Sequence, residues 1–409
     1  MNSVLRRQLH NAGYKSAMHH QFIRRILPLV PFLLVPQVQA QESRFWPFTV
    51  SNLMDRPSSQ VTPDYRRRLM EYQEARAVFE EEAGAYWNRI AEKRRIRNAK
   101  RRAGQPVMLD DYVLEQPPIY TGPKRPANPE AAEEPEPRPR KYIPVVADFV
   151  RAAQELYQFT PQRPASEVEF KRAYVRYALA SGLTRAQAVR VYSFETGGNG
   201  NHDMQSGVRN GSPPISTAIG YNQLLTTNSV ELLAEQGPEL IRALTAKAVQ
   251  LAGPARQALD HKLAVLKRMV TQARAVPDTW SEHEKIANTA QGWAMHAMVL
   301  DIDVGPMLQT HKLLTSVQFA RTRGHMRPLT AAELEMMNLT GDGTGLDMVT
   351  MPQAMRERVP TSNFFQRGGY GRNPVAIRNN TVAKLLAVTD AGMDSNSNNA
   401  GARELAAAF

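Results

Sequence analysis

From residue 145 onward, one helical pattern follows another, and this succession restricts the chain to a mainly helical fold. Apolar residues recur at intervals of three and four, and glycine or proline divides each pattern from the next. Capping boxes at Ser166 to Glu169 and at Thr184 to Gln187 predict helices that begin near residues 167 and 185. Strand-like alternation is scarce, so any sheet is expected to be small and to lie between residues 198 and 222. Further helical patterns cover residues 229–251, 254–275, 281–300, 306–323, 330–338 and 374–390.

A separate helical pattern precedes a proline-rich stretch. Thr62 is a suitable N-cap and Pro63 a favoured first helical residue, so a long amphipathic helix should begin there and end in the basic run Lys93 to Arg102. This helix either packs on the main domain or pairs with another chain. Residues 115–144 are dense in proline and mixed charge, which favours an extended linker. The predicted organisation is therefore an N-terminal helical segment at 41–114, the linker at 115–144, a helical domain at 145–390 and a flexible polar tail at 391–409.

The first forty residues have the pattern of a secretory signal peptide. A basic leader precedes the apolar run Ile26 to Val35, and Val38-Gln39-Ala40 fits the small-residue pattern at which signal peptidase cleaves. The apolar run is too short to span a bilayer. We expect cleavage after Ala40 and export to the periplasm; retention of the run as a membrane-associated anchor is the alternative.

Composition limits the available chemistry and partners. The chain has no cysteine, which excludes disulfides, thiolate metal sites and a thiol nucleophile. Nucleotide-binding, serine-hydrolase and HExxH zinc motifs are missing, and Gly341 to Asp347 favours a glycine-rich turn over a calcium loop, so no cofactor or metal is expected. In an exported chain, the net charge of +12 suits an anionic cell-wall polymer or a membrane surface better than nucleic acid, although it also serves solubility. Residues 62–102 are the segment expected to bind an envelope protein or a second copy.

One acidic residue ends the apolar stripe of the helix that begins near residue 185. That stripe consists of residues three, four and seven positions apart: Ala188, Val191, Tyr192 and Glu195. A carboxyl group partly removed from water has a raised pKa and can donate a proton near neutral pH. The alternative is a glutamate that bends out to water at the helix end, with Gly197 and Gly198 as an ordinary C-cap. On this helix alone the alternative is favoured, because amphipathic helices commonly carry such acids.

Two downstream segments change that balance. Glu195-Thr196 is followed by the turn Gly220-Tyr221-Asn222-Gln223, and later by Asn338 in a segment that leads into Gly341. In order and chemistry these residues resemble the lytic transglycosylase and goose-type lysozyme superfamily, in which a helix-ending glutamate precedes a Gly-x-x-Gln turn and an asparagine-glycine segment. The resemblance covers about residues 185–345.

The resemblance implies a lysozyme-like helical domain that binds peptidoglycan glycan strands. Glu195 would be the single acid and base that cleaves the bond between N-acetylmuramic acid and N-acetylglucosamine, and Thr196, Gly220 to Gln223 and Asn338 would bind the glycan. A lytic transglycosylase closes a 1,6-anhydro ring with the sugar's own hydroxyl, whereas a muramidase activates water, usually with a second acid. Asp203 is the nearest candidate for that acid in the sequence. For Tyr221, stacking on a sugar and burial in the core are equally open.

Three departures from the family pattern define the alternative function. The interval between Glu195 and Gln223 is longer than usual, the turn is more polar than the common Gly-Leu-Met-Gln version, and Met337 replaces the tyrosine that commonly precedes the asparagine. The methionine removes a hydroxyl group that could hold the acid or the sugar. The alternative is therefore a non-catalytic peptidoglycan-binding or envelope scaffold protein that keeps the lysozyme-like fold.

Overall fold

The structure is a computed structural model that describes residues 62–129, 142–208 and 212–409. All of these belong to a compact unit formed by residues Pro57–Phe409. The described residues form helices and isolated β-bridges, which confirms the mainly helical class. The expected signal peptide at residues 1–40 lies outside the described residues. Within the described ranges, no helix combines the length and apolar character needed to cross a membrane.

The helices follow one another along the chain, with loops and short 3-10 turns between them. The first eight are α1 Pro63–Arg102, α2 Val146–Tyr157, α3 Glu167–Ala180, α4 Arg185–Thr196, α5 Thr226–Val249, α6 Gly253–Ala273, α7 Trp280–Ala287 and α8 Ala290–His296. The others are α9 Gly305–Thr322, α10 Ala331–Thr340, α11 Asp342–Thr350, α12 Gln353–Arg356, α13 Arg367–Gly371, α14 Pro374–Arg378, α15 Val382–Ser397 and α16 Ala400–Ala407.

The predicted helix starts agree with the structure. The Thr62 side chain accepts a hydrogen bond at the start of α1, and Ser166 does the same at α3. Thr184 and Gln187 form the reciprocal bonds of a capping box at α4. The expected small sheet is not present among the described residues, where the only pairing between residues 198 and 224 consists of isolated bridges from Ile219 to Gln205 and to Leu224.

The C-terminal half of α1 packs on the rest of the same chain. The Tyr86 hydroxyl lies 2.6 Å from the hydroxyl of Ser362. The buried guanidinium of Arg97 donates to the carbonyl oxygens of Asp111 at 2.9 Å and Asn363 at 3.2 Å. Of the two arrangements expected for this helix, packing on the main domain is therefore the one found for its C-terminal half.

Part of the expected linker is also packed. The Tyr120 ring lies edge-on to Phe79 of α1, with 5.3 Å between the ring centres. The side chain of Gln116 donates to the carbonyl oxygen of Asn380 at 3.2 Å. Residues 130–141 of the linker lie outside the described residues.

The two largest apolar clusters among the described residues lie in the helical domain. One lies among α2, α5, α6 and α8 and is made largely of leucine, valine, alanine and methionine. The other joins α4, α9, α10 and α15 and includes the buried side chains of Val191, Leu313, Met337 and Met393. The second cluster fixes the helix that carries Glu195 against the helix that carries Asn338.

The C-terminal residues 391–409, expected to be a flexible tail, are helical and packed. They form the end of α15 and all of α16, and Ala402 and Leu405 are buried against α3 and α4. The backbone amide of Ala402 donates to the carbonyl oxygen of Gly198 at 2.8 Å. The sequence of this segment did not predict helices, because asparagine and serine residues surround its few apolar residues. Those apolar residues are buried only by contact with the rest of the domain.

The segment Gly341 to Asp347 also differs from expectation. Gly341 ends α10 with φ of 84°, and the chain then enters α11 at Asp342. Gly345 allows this helix to approach α10, since a Cβ atom at residue 345 would lie 2.3 Å from the Cα atom of Met337. The glycines therefore mark a junction between two helices, where the sequence suggested a turn.

Candidate active site

Glu195 lies at the end of α4, where the chain packs closely against α15. Gly197 and Gly198 follow the helix with φ of 65° and 75°, in the left-handed region that favours glycine. A Cβ atom on Gly198 would lie 2.1 Å from the carbonyl oxygen of Asn396 in α15. The side chain of Asn399 donates to the carbonyl oxygen of Gly197 at 2.8 Å. The C-terminal helices thus fix the backbone immediately after Glu195.

The Glu195 carboxyl group points into the protein toward α10. The side-chain amide of Asn338 donates to its Oε1 atom at 3.0 Å. Burial raises the pKa of Glu195 to about 7, while the positive charge of Lys312 and the hydrogen bond from Asn338 act in the opposite direction. A carboxyl group with this pKa is protonated in a large share of molecules at neutral pH and can serve as a general acid.

The structure brings together two of the predicted site residues, Glu195 and Asn338. The others make contacts or hydrogen bonds within the protein. Thr196 is buried, and its hydroxyl group donates to the carbonyl oxygen of Tyr192 at 2.7 Å within α4. The predicted glycan-binding role of Thr196 has no support from this placement, because the hydroxyl group is occupied by its own helix.

The turn at Gly220 to Gln223 packs against α4 through Tyr221. Tyr221 is fully buried and lies edge-on to Tyr192 of α4, with 4.7 Å between the ring centres. Its hydroxyl group bonds to the carboxylate of Glu167. Of the two roles left open for Tyr221, burial in the core is the one found.

Two other residues of the turn are held by a glutamine from α9. The backbone amide of Asn222 donates to Oε1 of Gln309 at 2.8 Å, and its side-chain amide donates to the Gln309 carbonyl oxygen at 2.7 Å. Gly220 has φ of 83°, and a Cβ atom there would lie 2.1 Å from Nε2 of Gln309. Gly220 and Asn222 therefore shape the turn from within and are not positioned to contact a glycan.

Gln223 is the member of the turn that remains partly exposed. It adopts a left-handed backbone conformation with φ of 43°. Its side-chain amide donates to the carbonyl oxygens of Gly220 at 2.8 Å and Met204 at 3.2 Å. Within the described part of the chain, no hydrogen bond connects Gln223 to Glu195, so any shared role of these two residues requires a ligand between them.

A cavity of about 130 Å³ opens beside Asn338, between α5, α9 and α10. Its walls carry acidic, amide and hydroxyl groups together with one aromatic ring; they include Asn228, Glu231, Glu235, Trp280, Lys312, Ser316, Asn338 and Asp342. Burial raises the pKa of Glu235 to about 7 and raises the pKa values of Glu231 and Asp342 as well. One feature of the sequence could have indicated these acidic residues. Glu231 and Glu235 are four residues apart on α5, and this spacing places both carboxyl groups on one face of the helix.

A second carboxyl group lies close to Glu195 and was not anticipated. Glu335 is one helical turn before Asn338 on α10, and only 4% of its surface is exposed. Burial, together with the charge of Glu195, raises the pKa of Glu335 well above its ordinary value. The spacing of three from Asn338 was a usable signal, because residues three apart share a helix face.

Asp203, the candidate second acid for a hydrolytic mechanism, lies in an exposed ion pair. Its carboxylate is 3.2 Å from the guanidinium of Arg163. Among the described residues, neither a hydrogen bond nor an ion pair joins Asp203 to Glu195. This placement does not support a role for Asp203 in activating water at Glu195.

No protein-family model, curated protein or solved structure matches this chain. Its function is therefore inferred from the residues and geometry described above.

Proposed function

We propose that the protein is a peptidoglycan lytic transglycosylase in which Glu195 is the single acid and base. The observation that carries this proposal is the half-buried Glu195 carboxyl group, held by Asn338 across the junction of α4 and α10. The domain at residues 145–390 is proposed to be lysozyme-like, and its helical packing around a helix-ending glutamate supports that assignment. Export to the periplasm through residues 1–40 belongs to the same proposal.

The reaction needs one proton transfer in each direction. Glu195 donates its proton to the glycosidic oxygen as the bond from that oxygen to C1 of N-acetylmuramic acid breaks. The carboxylate then accepts the proton of the same sugar's 6-hydroxyl group as that oxygen bonds to C1. The 1,6-anhydro ring is thereby closed, Glu195 regains its proton, and water is not consumed.

Digestion of purified peptidoglycan sacculi tests the proposal. Wild type should release soluble muropeptides that carry anhydro ends, and Glu195→Gln should fold normally but release none. Glu155→Gln, at an exposed position on α2, is the matched control and should release as much as wild type. Equal release by Glu195→Gln would refute the catalytic role, and reducing ends in place of anhydro ends would identify a hydrolytic muramidase.

A non-catalytic glycan-binding or envelope scaffold protein is the second candidate. The observation that favours it is Met337, which is fully buried in an apolar cluster at the position where the family commonly has tyrosine. That position therefore supplies no hydroxyl group to the acid. Binding of wild type to sacculi with no release of soluble muropeptides would favour this function over the enzyme.

The N-terminal helix is the proposed contact with an envelope partner or a second copy. Its C-terminal half packs on the main domain, and its first half also contacts the chain through Phe79 and Glu80, but Met70 and Val78 in that half are 58% and 68% exposed. Replacement of Met70 and Val78 by serine should reduce the number of chains in each assembled particle if this half mediates association. An unchanged number of chains would refute the role of this half.

A further inference from the structure

A buried carboxyl group without an assigned role lies next to the proposed acid. Glu335 is 4% exposed, and its Oε2 atom has no hydrogen-bond partner among the described residues. Such a group is costly to bury in the ionised form unless a cation neutralises it. Asn338, which donates to Glu195, follows Glu335 by one turn on the same helix. Glu335 and Glu195 therefore lie on two helices packed against each other and flank one amide side chain.

The charges around this pair do not neutralise both acids. Lys312 of α9 is the cation whose charge acts on both carboxyl groups. From the other helices packed against α4 and α10, Asp342 of α11 accepts a hydrogen bond from Ser316, and burial raises its pKa. Glu231 and Glu235 of α5, on the wall of the cavity beside Asn338, are further acidic groups whose pKa values burial raises, and the charge of Lys312 also acts on Glu231. Two other charged clusters near this region are paired: Arg190 with Asp390 and Asp394, and Glu333 with Arg327 and Arg356.

We propose that Glu335 is a positioning residue that shares one proton with Glu195, so that the two carboxyl groups act as a coupled pair. Two carboxyl groups that are largely removed from water, with one cation acting on both, do not ionise together without a large cost. The second proton therefore remains on the pair after the first has left, distributed between the two residues. For catalysis the inference rests on the proposed function, whereas the proton sharing itself does not.

Sharing a proton has two consequences for the proposed reaction. When both groups are protonated and Glu195 gives its proton to the leaving oxygen, the second proton stays on Glu335, so the Glu195 carboxylate does not lie beside a second negative charge. At alkaline pH, a fraction of the molecules still carries the remaining proton on Glu195. Cleavage should therefore decline with rising pH in two steps, whereas an isolated acid gives one.

The pair can be tested without any glycan. Infrared absorption of protonated carboxyl groups is measured against pH in wild type, Glu195→Gln, Glu335→Gln and the double variant. We expect the titration of Glu335 to move to lower pH by at least about one unit when residue 195 is glutamine, the coupling that defines a shared pair. Glu155→Gln, at the exposed position on α2, is the matched control, and its spectral change should add to that of Glu195→Gln. Additive changes for Glu195→Gln and Glu335→Gln would overturn the proposal.

The pH profile of muropeptide release tests the consequence for activity. Wild type should decline in two steps, and Glu335→Gln should keep full release at acidic pH but decline in a single step. Profiles of wild type and Glu335→Gln that superimpose would mean that Glu335 is only structural. If Glu335→Gln does not fold, the comparison of wild type with Glu195→Gln by infrared absorption still decides the matter. If wild type releases nothing, the proposed function fails while the infrared result still stands.

Discussion

Replacing Glu195 with glutamine should make the protein more stable than wild type at neutral and alkaline pH. Burial raises the pKa of Glu195 from 4.5 to about 7, so the folded chain retains a proton that the unfolded chain releases. The stabilisation associated with this proton is complete below the unfolded pKa. It is lost as the pH rises through the folded pKa, because the unfolded state is then favoured by its release. Glutamine does not titrate and avoids this loss.

The size of the effect follows from the pKa change. A rise from 4.5 to about 7 corresponds to about 3 kcal/mol in the free energy of unfolding. For a unit of roughly 350 residues, this equals a difference of about 4 to 5 °C in Tm. The substitution also removes the charge that raises the pKa of Glu335, and this acts in the same direction.

Thermal and denaturant unfolding between pH 4 and pH 8.5 provide the assay. The stability of Glu195→Gln minus that of wild type should grow as the pH rises from 4 through 7. Glu155→Gln controls for the removal of one acidic group from the chain. A difference that stays constant across the pH range would refute the reasoning, because it would mean that the Glu195 carboxyl group has the same pKa in both states.

Two further substitutions test the surroundings of the acid. Lys312→Met keeps the aliphatic stem but removes the charge that lowers the pKa of Glu195, so the alkaline decline of muropeptide release should move to higher pH; no movement would exclude the charge effect. Gly198→Ala should be more destabilising than Gly197→Ala, since both residues have positive φ but only at residue 198 would the added Cβ atom lie 2.1 Å from a backbone oxygen. Equal Tm values for the two alanine variants would show that α15 does not confine this junction.

Local signals explain which parts of the fold were predictable. The starts of α3 and α4 depend on side chains within three residues of the cap, and the sequence contains all of that information. The stripe that ends at Glu195 allowed an inward carboxyl group but on its own favoured one that bends out to water. The hydrogen bond with Asn338 shows the inward orientation. The resemblance in order and chemistry had already associated these two residues.

Contacts between distant residues explain what was missed. The interior roles of Tyr221 and Asn222 depend on Gln309, which is 87 residues from Asn222 and carries no recognisable motif. The C-terminal helices are stabilised by contact with the end of α4. Their polar sequence does not reveal this contact, and it therefore suggested a flexible tail. Glu335 could have been placed on the Asn338 face, but its proximity to Glu195 depends on how α10 packs against α4.

Direct titration of the Glu195 carboxyl group is the sharpest test of the claim that this residue is a half-buried proton donor. The protein is labelled with ¹³C at glutamate side chains, and the Glu195 signal is assigned by its loss in Glu195→Gln. We predict that the first titration step of this signal has its midpoint at about pH 7. A midpoint near 4.5, the ordinary value for glutamate, would contradict the claim.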